Sequence, residues 1–290
     1  MTEIWKGAPV AAALNEKTRI QCEKLKGQGI FPTLAIVRVG QREDDLSYER
    51  GVKKRCEAVG VGVRQYVLDA AATQEEVLGV IQEVNADENV HGCLLFRPLP
   101  RPLEENEICA ALDRDKDVDG ITEESLAGVF TGSGVGFAPC TAQAVVEILD
   151  YYGVNLTGKR VTVVGRSLVV GKPAAMLLDR KNATVTMCNS RTQNLPDLCR
   201  EAEVLVVAMG KRGAIGGDCF RPGQIVVDVG IHVNEEGKLC GDVRTDEAQG
   251  IAAAITPVPG GVGAVTTAVL VRNVVRSAAR KFVLEEDGVL

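Results

Sequence analysis

Histidine is nearly missing: His91 and His232 are the two in a chain of 290 residues. A paired-histidine acid-base site or a His-rich metal centre is therefore not indicated, and no metal is expected. Positive charge is also in short supply. Thirty-three Lys and Arg face 39 Asp and Glu, a formal charge of -6 that offers no polybasic grip for nucleic acid or acidic lipid. The nine cysteines are an odd number without C-x-x-C spacing, which argues against a disulfide framework and a zinc ribbon. They read as small core residues or free thiols in a reducing compartment. No uncharged apolar run reaches the roughly 18 residues of a membrane span, and no basic-then-apolar leader opens the sequence. These absences predict a cytoplasmic protein bound to neither nucleic acid nor membrane.

What is abundant is apolar residues, at 46%, and glycine, at 31 residues. The first is enough for one large or two medium cores. Helical patterns at 11–28, 46–59, 74–87 and 103–112 alternate with β-rich runs at 33–39, 63–68 and 90–96. After the acidic loop 113–120 and a helix through Tyr152, the runs 159–164, 184–187, 204–208, 225–229 and 253–255 alternate with further helices. The alternation predicts an α/β fold of two α/β domains around a cleft, with mostly parallel sheets. The division is set at residues 1–140, completed by a C-terminal helix over 265–290, and 141–264.

The segment Gly165-Arg166-Ser167-Leu168-Val169-Val170-Gly171 departs from G-x-G-x-x-G but lies between an apolar strand and a helix carrying Pro173 near its start. Small residues there let backbone amides at a helix N-terminus approach a diphosphate. An ordinary strand-to-helix turn is the alternative. Gly165, Arg166, Ser167, Val170 and Gly171 are the cofactor-binding candidates. The next strand ends in Cys188-Asn189-Ser190-Arg191, with no acid for an NAD ribose. Ser190 and Arg191 would suit a 2'-phosphate, so NADP is the expected cofactor and NAD the alternative.

The order of motifs resembles the methylenetetrahydrofolate dehydrogenase/methenyltetrahydrofolate cyclohydrolase family along nearly the whole chain. The resemblance is carried by Val39-Gly40 before Ser47-Tyr48, Lys116-Asp117-Val118-Asp119-Gly120, Pro139-Cys140-Thr141, the Gly165 segment, Val227-Asp228-Val229-Gly230, Gly241-Asp242-Val243 and Thr256-Pro257-Val258-Pro259-Gly260-Gly261. It implies a Rossmann-like NAD(P)-binding second domain, a folate-binding first domain, a tetrahydrofolate derivative as substrate and a homodimer. It also implies that Tyr48 lies over the folate, that Asp119 binds the pterin, and that Pro259, Gly260 and Gly261 line the cleft. A carboxylate at Asp119 can accept two N–H bonds from a 2-aminopyrimidinone edge; an Asx turn beside Gly120 is the bland reading.

Two positions depart from the family pattern. Its lysine four residues after the tyrosine is Val52 here, and the glutamine before Leu-Pro-Leu-Pro is Phe96, in Phe96-Arg97-Pro98-Leu99-Pro100. Lys53 is displaced by about 100° around a helix, and a solvated face for it stands against a catalytic role. Arg97 could bring a cation to a substrate carboxylate or lie at the surface. The expectation is an NADP-dependent methylenetetrahydrofolate dehydrogenase with doubtful cyclohydrolase activity, with Tyr48, Asp119 and Lys53 as catalytic candidates. A bifunctional dehydrogenase/cyclohydrolase and a non-catalytic folate or dinucleotide sensor are the alternatives.

Overall fold

A computed structural model of the chain describes residues 1–283, the last three by backbone alone. In chain order the elements begin with β1 (Glu3–Ile4), α1 (Gly7–Gly27), β2 (Thr33–Val39), α2 (Glu43–Val59), β3 (Gly62–Leu68), α3 (Gln74–Ala86), β4 (Gly92–Leu95), α4 (Glu105–Ala111), α5 (Glu123–Thr131) and α6 (Cys140–Tyr151). They continue with β5 (Arg160–Val164), α7 (Gly171–Asp179), β6 (Thr184–Cys188), α8 (Leu195–Glu201), β7 (Val204–Val207) and β8 (Ile225–Asp228). The remainder are β9 (His232–Val233), β10 (Leu239–Cys240), α9 (Thr245–Ala248), β11 (Ala254–Ile255) and α10 (Val262–Val283).

Two compact units result: Ala13–Cys140 with the described residues from Thr267 onward, and Met1–Ala12 with Thr141–Thr266. The first twelve residues thus leave the unit that a division at 140 assigned them to. Glu3 and Ile4 pair in parallel with Ala254 and Ile255, and backbone hydrogen bonds overrode sequence order. The expected C-terminal helix starts at Val262 rather than 265, and its positions 284–290 lie outside the described residues.

In the unit containing residues 13–140, a parallel three-stranded sheet runs β3-β2-β4. β2 is the centre, and Leu34, Ala35, Ile36 and Val37 are buried along it, as expected of a parallel strand covered on both faces. Ile81 and Val84 of α3 close on Val37, Cys93, Leu95 and Ile108. Thr73 and Glu76 form a reciprocal cap at the start of α3. At its end the buried Lys116 ammonium takes the carbonyls of Val84, Asn85 (2.8 Å) and Asp87 (2.6 Å), a cation at a helix C-terminus. Lys116 is thereby committed to the fold.

The other unit carries a six-stranded sheet in the order β1-β11-β8-β7-β5-β6, parallel throughout. Its core joins Val164, Leu205, Val207, Ile215, Val226 and Ile255. From β5 the chain moves to β6 on one side and then to β7 on the other. That reversal of order makes the carboxyl ends of β5 and β7 the place where such sheets hold ligands.

Candidate functional site

Asp117 and Asp119 are two residues apart and do different work. Asp117 is fully buried and accepts from Ile121 N (2.9 Å), Thr122 N (2.8 Å) and Thr122 Oγ1 (2.7 Å). Asp117 is thus the carboxylate that braces this loop, through donors four and five residues further on. Asp119 is half-buried and is faced by the Cys140 thiol, with Tyr48 also near. Gly120 makes this approach possible: with φ +70° it runs so close to the next segment that a Cβ would lie 2.5 Å from Pro139 N.

Burial lifts the Asp119 carboxyl to about 6, the Cys140 hydrogen bond and the charge of Arg97 working the other way and Asp117 adding to the rise. The Tyr48 hydroxyl is pushed well above its ordinary range by burial, then by Asp119 and Cys140, with Arg55 opposing. Tyr48 nonetheless keeps 36% of its surface open. An open ring with a desolvated hydroxyl fits a platform for a flat ligand. Phe96 packs on this ring edge to face, centroids 5.8 Å apart at 68°. Val52, one helical turn beyond Tyr48 on α2, is completely buried.

Lys53 lies elsewhere. Its Nζ donates to Gln65 Oε1 of β3 at 2.9 Å and is 3.9 Å from Glu49, which pairs with the buried Arg38 at 2.9 Å. It is tied to that network rather than to the Tyr48 and Asp119 group. Arg97 acts on Asp119 through its charge, but its guanidinium is 3.5 Å from Glu105 and it also meets Cys109.

In the other unit, Gly165 leaves β5 with φ +137°, and a Cβ there would stand 2.1 Å from Ala208 O. A Cβ on Gly171 would lie 2.2 Å from Gly165 O. Such a cradle admits only glycine, and it brings backbone within reach of a diphosphate. The Ser167 hydroxyl accepts from Val170 N (3.1 Å) and weakly from Gly171 N (3.5 Å), tying the loop to the start of α7. Val164 pairs with Cys188, so Arg166 beyond β5 and Ser190 and Arg191 beyond β6 leave the same sheet edge, all three exposed. An Asx turn, Arg191 N to Asn189 Oδ1 at 3.0 Å, shapes that second loop, which carries one cation and no acid. Pro259, Gly260 and Gly261 follow β11 in the same unit. Gly260 O accepts from Gly7 N at 2.8 Å, and a Cβ on Gly7 would be 2.1 Å from Gly261 O.

The chain matches the tetrahydrofolate dehydrogenase/cyclohydrolase catalytic domain over residues 5–119 and the NAD(P)-binding domain of the same enzymes over 139–282. It belongs to the tetrahydrofolate dehydrogenase/cyclohydrolase family. Relatives called bifunctional protein FolD include one from Carboxydothermus hydrogenoformans, 50% identical over 96% of this chain and 97% of that protein. Another, from Clostridioides difficile, is 48% identical over 95% and 96%. Among solved structures, FolD from Campylobacter jejuni is 36% identical with TM-score 0.94, covering 97% of this chain and all (100%) of that one. A Trypanosoma brucei FolD complexed with NADP and an inhibitor is 32% identical with TM-score 0.91, covering 97% and 98%.

Membership in the tetrahydrofolate dehydrogenase/cyclohydrolase family makes the chain an α/β oxidoreductase of one-carbon metabolism with a Rossmann-like NAD(P)-binding domain, and the Trypanosoma brucei relative holds NADP. The glycine cradle and the acid-free cationic edge fit that cofactor. The expectation of a doubtful second activity is not supported: the relatives just described are called bifunctional. Sequence reasoning also passed over Cys140 as a site residue, although it sits in Pro139-Cys140-Thr141, and the turn after β7. The signal for that turn is Gly210, just past an apolar strand.

Proposed function

We propose that this chain catalyses both reactions of its family: NADP-linked oxidation of 5,10-methylenetetrahydrofolate and hydrolysis of the methenyl product. The observation that carries the reading is Asp119, an open but desolvated carboxylate beside an aromatic platform, in the unit that lacks the glycine cradle. Ionised Asp119 accepts the paired N–H groups of the 2-aminopyrimidinone edge and so orients the folate. Tyr48 offers its ring face and keeps its phenolic proton. Bound NADP supplies the hydride acceptor. Backbone at Gly165, Val170 and Gly171 with Ser167 receives the diphosphate, while Arg166, Ser190 and Arg191 take the 2'-phosphate. Pro259, Gly260 and Gly261 supply backbone for close ligand approach. The enzyme is proposed to act in the cytoplasm, in keeping with its free cysteines, and as a homodimer.

A second reading, a dehydrogenase with a weakened hydrolytic step, is favoured by one observation. Val52 and Phe96 leave no amine beside Tyr48 at those positions to accept the proton of an attacking water, and no amide to orient such an amine. Separate assays on the purified full chain decide. NADP reduction by methylenetetrahydrofolate together with accelerated loss of the methenyl chromophore supports the bifunctional reading. Reduction without accelerated hydrolysis supports the second. Folate and NADP binding with no turnover overturns both in favour of the sensor.

A further inference from the structure

Beyond the glycine cradle, the turn after β7 shows a second organised arrangement. Three successive amides converge on one carboxylate: Met209 N (2.6 Å) and Gly210 N (3.0 Å) on Asp242 Oδ2, and Lys211 N (2.8 Å) on Oδ1. His232 Nε2 lies 2.7 Å from the same Oδ1. Asp242 is fully buried, and its own position is fixed from β8, where Asp228 accepts Asp242 N at 3.1 Å and Val243 N at 3.0 Å. Packing leaves no slack: a Cβ on Gly230 would stand 2.4 Å from Asp242 Cγ.

The direction of these amides has a chemical outcome. In a trans peptide the carbonyl points opposite to the N–H of the same plane. With the amides of 209–211 aimed inward at Asp242, the carbonyls of Ala208, Met209 and Gly210 are aimed away from it. This turn leaves β7 where strand order reverses, and it touches the cradle, since Gly165 abuts Ala208 O. The cradle offers donors, which suit phosphate. The turn offers acceptors, which suit a carboxamide or ribose hydroxyls.

We infer that Asp242 and His232 are positioning residues for the cofactor: they hold the turn so that its carbonyls accept hydrogen bonds from the nicotinamide half of NADP. Asp242 sets the turn, and His232 holds Asp242 in the rotamer that reaches all three amides. Neither residue needs to touch the cofactor.

The test uses the full chain and two probes, NADP and adenosine 2',5'-bisphosphate, the fragment lacking nicotinamide and its ribose. His232→Leu removes the donor from a half-buried position and is expected to weaken NADP binding by about tenfold while leaving the bisphosphate unchanged. His232→Gln, which restores a side-chain donor, should recover most of the affinity. Asp242→Asn, which turns a donor toward the amides, should have a larger effect in the same direction; if it does not fold, His232→Leu decides. Loss of NADP affinity alone, with rescue by glutamine, supports the inference. Equal weakening of both probes, or no change in either, overturns it, because a loosened fold spreads its effect across the whole cofactor.

Discussion

Replacing Asp117 and Asp119 one at a time by asparagine should shift stability in opposite directions. Asp117 uses both carboxylate oxygens on three donors, so an amide in its place turns an NH2 toward a buried N–H. Asp117→Asn is expected to cost about 2–3 kcal/mol. Asp119 holds its carboxyl at about 6 against an ordinary 3.8, because burial disfavours the charge. An acid whose folded pKa is raised contributes nothing below its unfolded pKa and lowers stability as pH rises from about 4 through 6. The limit is about 3 kcal/mol, and partial solvent access reduces it to about 1–2 kcal/mol. Asp119→Asn should therefore be more stable than the parent at pH 7.5, by that amount, and equal to it near pH 4. Substrate binding moves the other way: the neutral variant loses folate affinity, and in the parent that affinity falls by about tenfold per pH unit below 6. Urea denaturation at the two pH values and folate titration across the range read all of this. A destabilised Asp119→Asn at neutral pH, or folate affinity indifferent to pH 5–7, would refute the assignment of Asp119 as a functional carboxylate.

Lys53→Met should leave both activities intact, because the amine is bound to Gln65 and stands apart from the Asp119 group; abolished methenyl hydrolysis would restore it as a catalytic residue. Arg191→Ala should weaken NADP by about tenfold and NAD hardly at all, measured as a ratio of dissociation constants. Gly165→Ala forces a methyl into Ala208 O and is expected to abolish dinucleotide binding together with a loss of thermal stability, read by calorimetry with and without NADP. Lys116→Met leaves three carbonyls at the end of α3 without their cation and should cost about 3 kcal/mol in urea unfolding.

Much of the architecture was legible in local pattern. β2 was delimited to the residue as 33–39, since a β-rich run between Pro32 and Gly40 has few other options. Helix α5 carries a start signal in Thr122 before Glu123 and Glu124, but Gly128 within it and the glycines just beyond it break the helical pattern that a linear reading depends on. The β9–β10 hairpin was also missed, as two-residue strands carry too little periodicity to register.

What the sequence determined by itself was chemistry that travels with short segments: the glycine cradle after β5, the acid-free cationic edge after β6, and the motif order that marks the family. These depend on residue type and nearest neighbours, so a linear reading reaches them. Tertiary structure decided what depends on separation through space. It moved the first twelve residues to the other unit by pairing Glu3 and Ile4 with β11, tied Lys53 to Gln65, and split the roles of Asp117 and Asp119 according to which donors surrounded each. It also set Asp242 beneath amides more than thirty positions earlier in the chain (31, 32 and 33). A carboxylate's work is fixed by the donors and the solvent around it, and those are supplied by the fold.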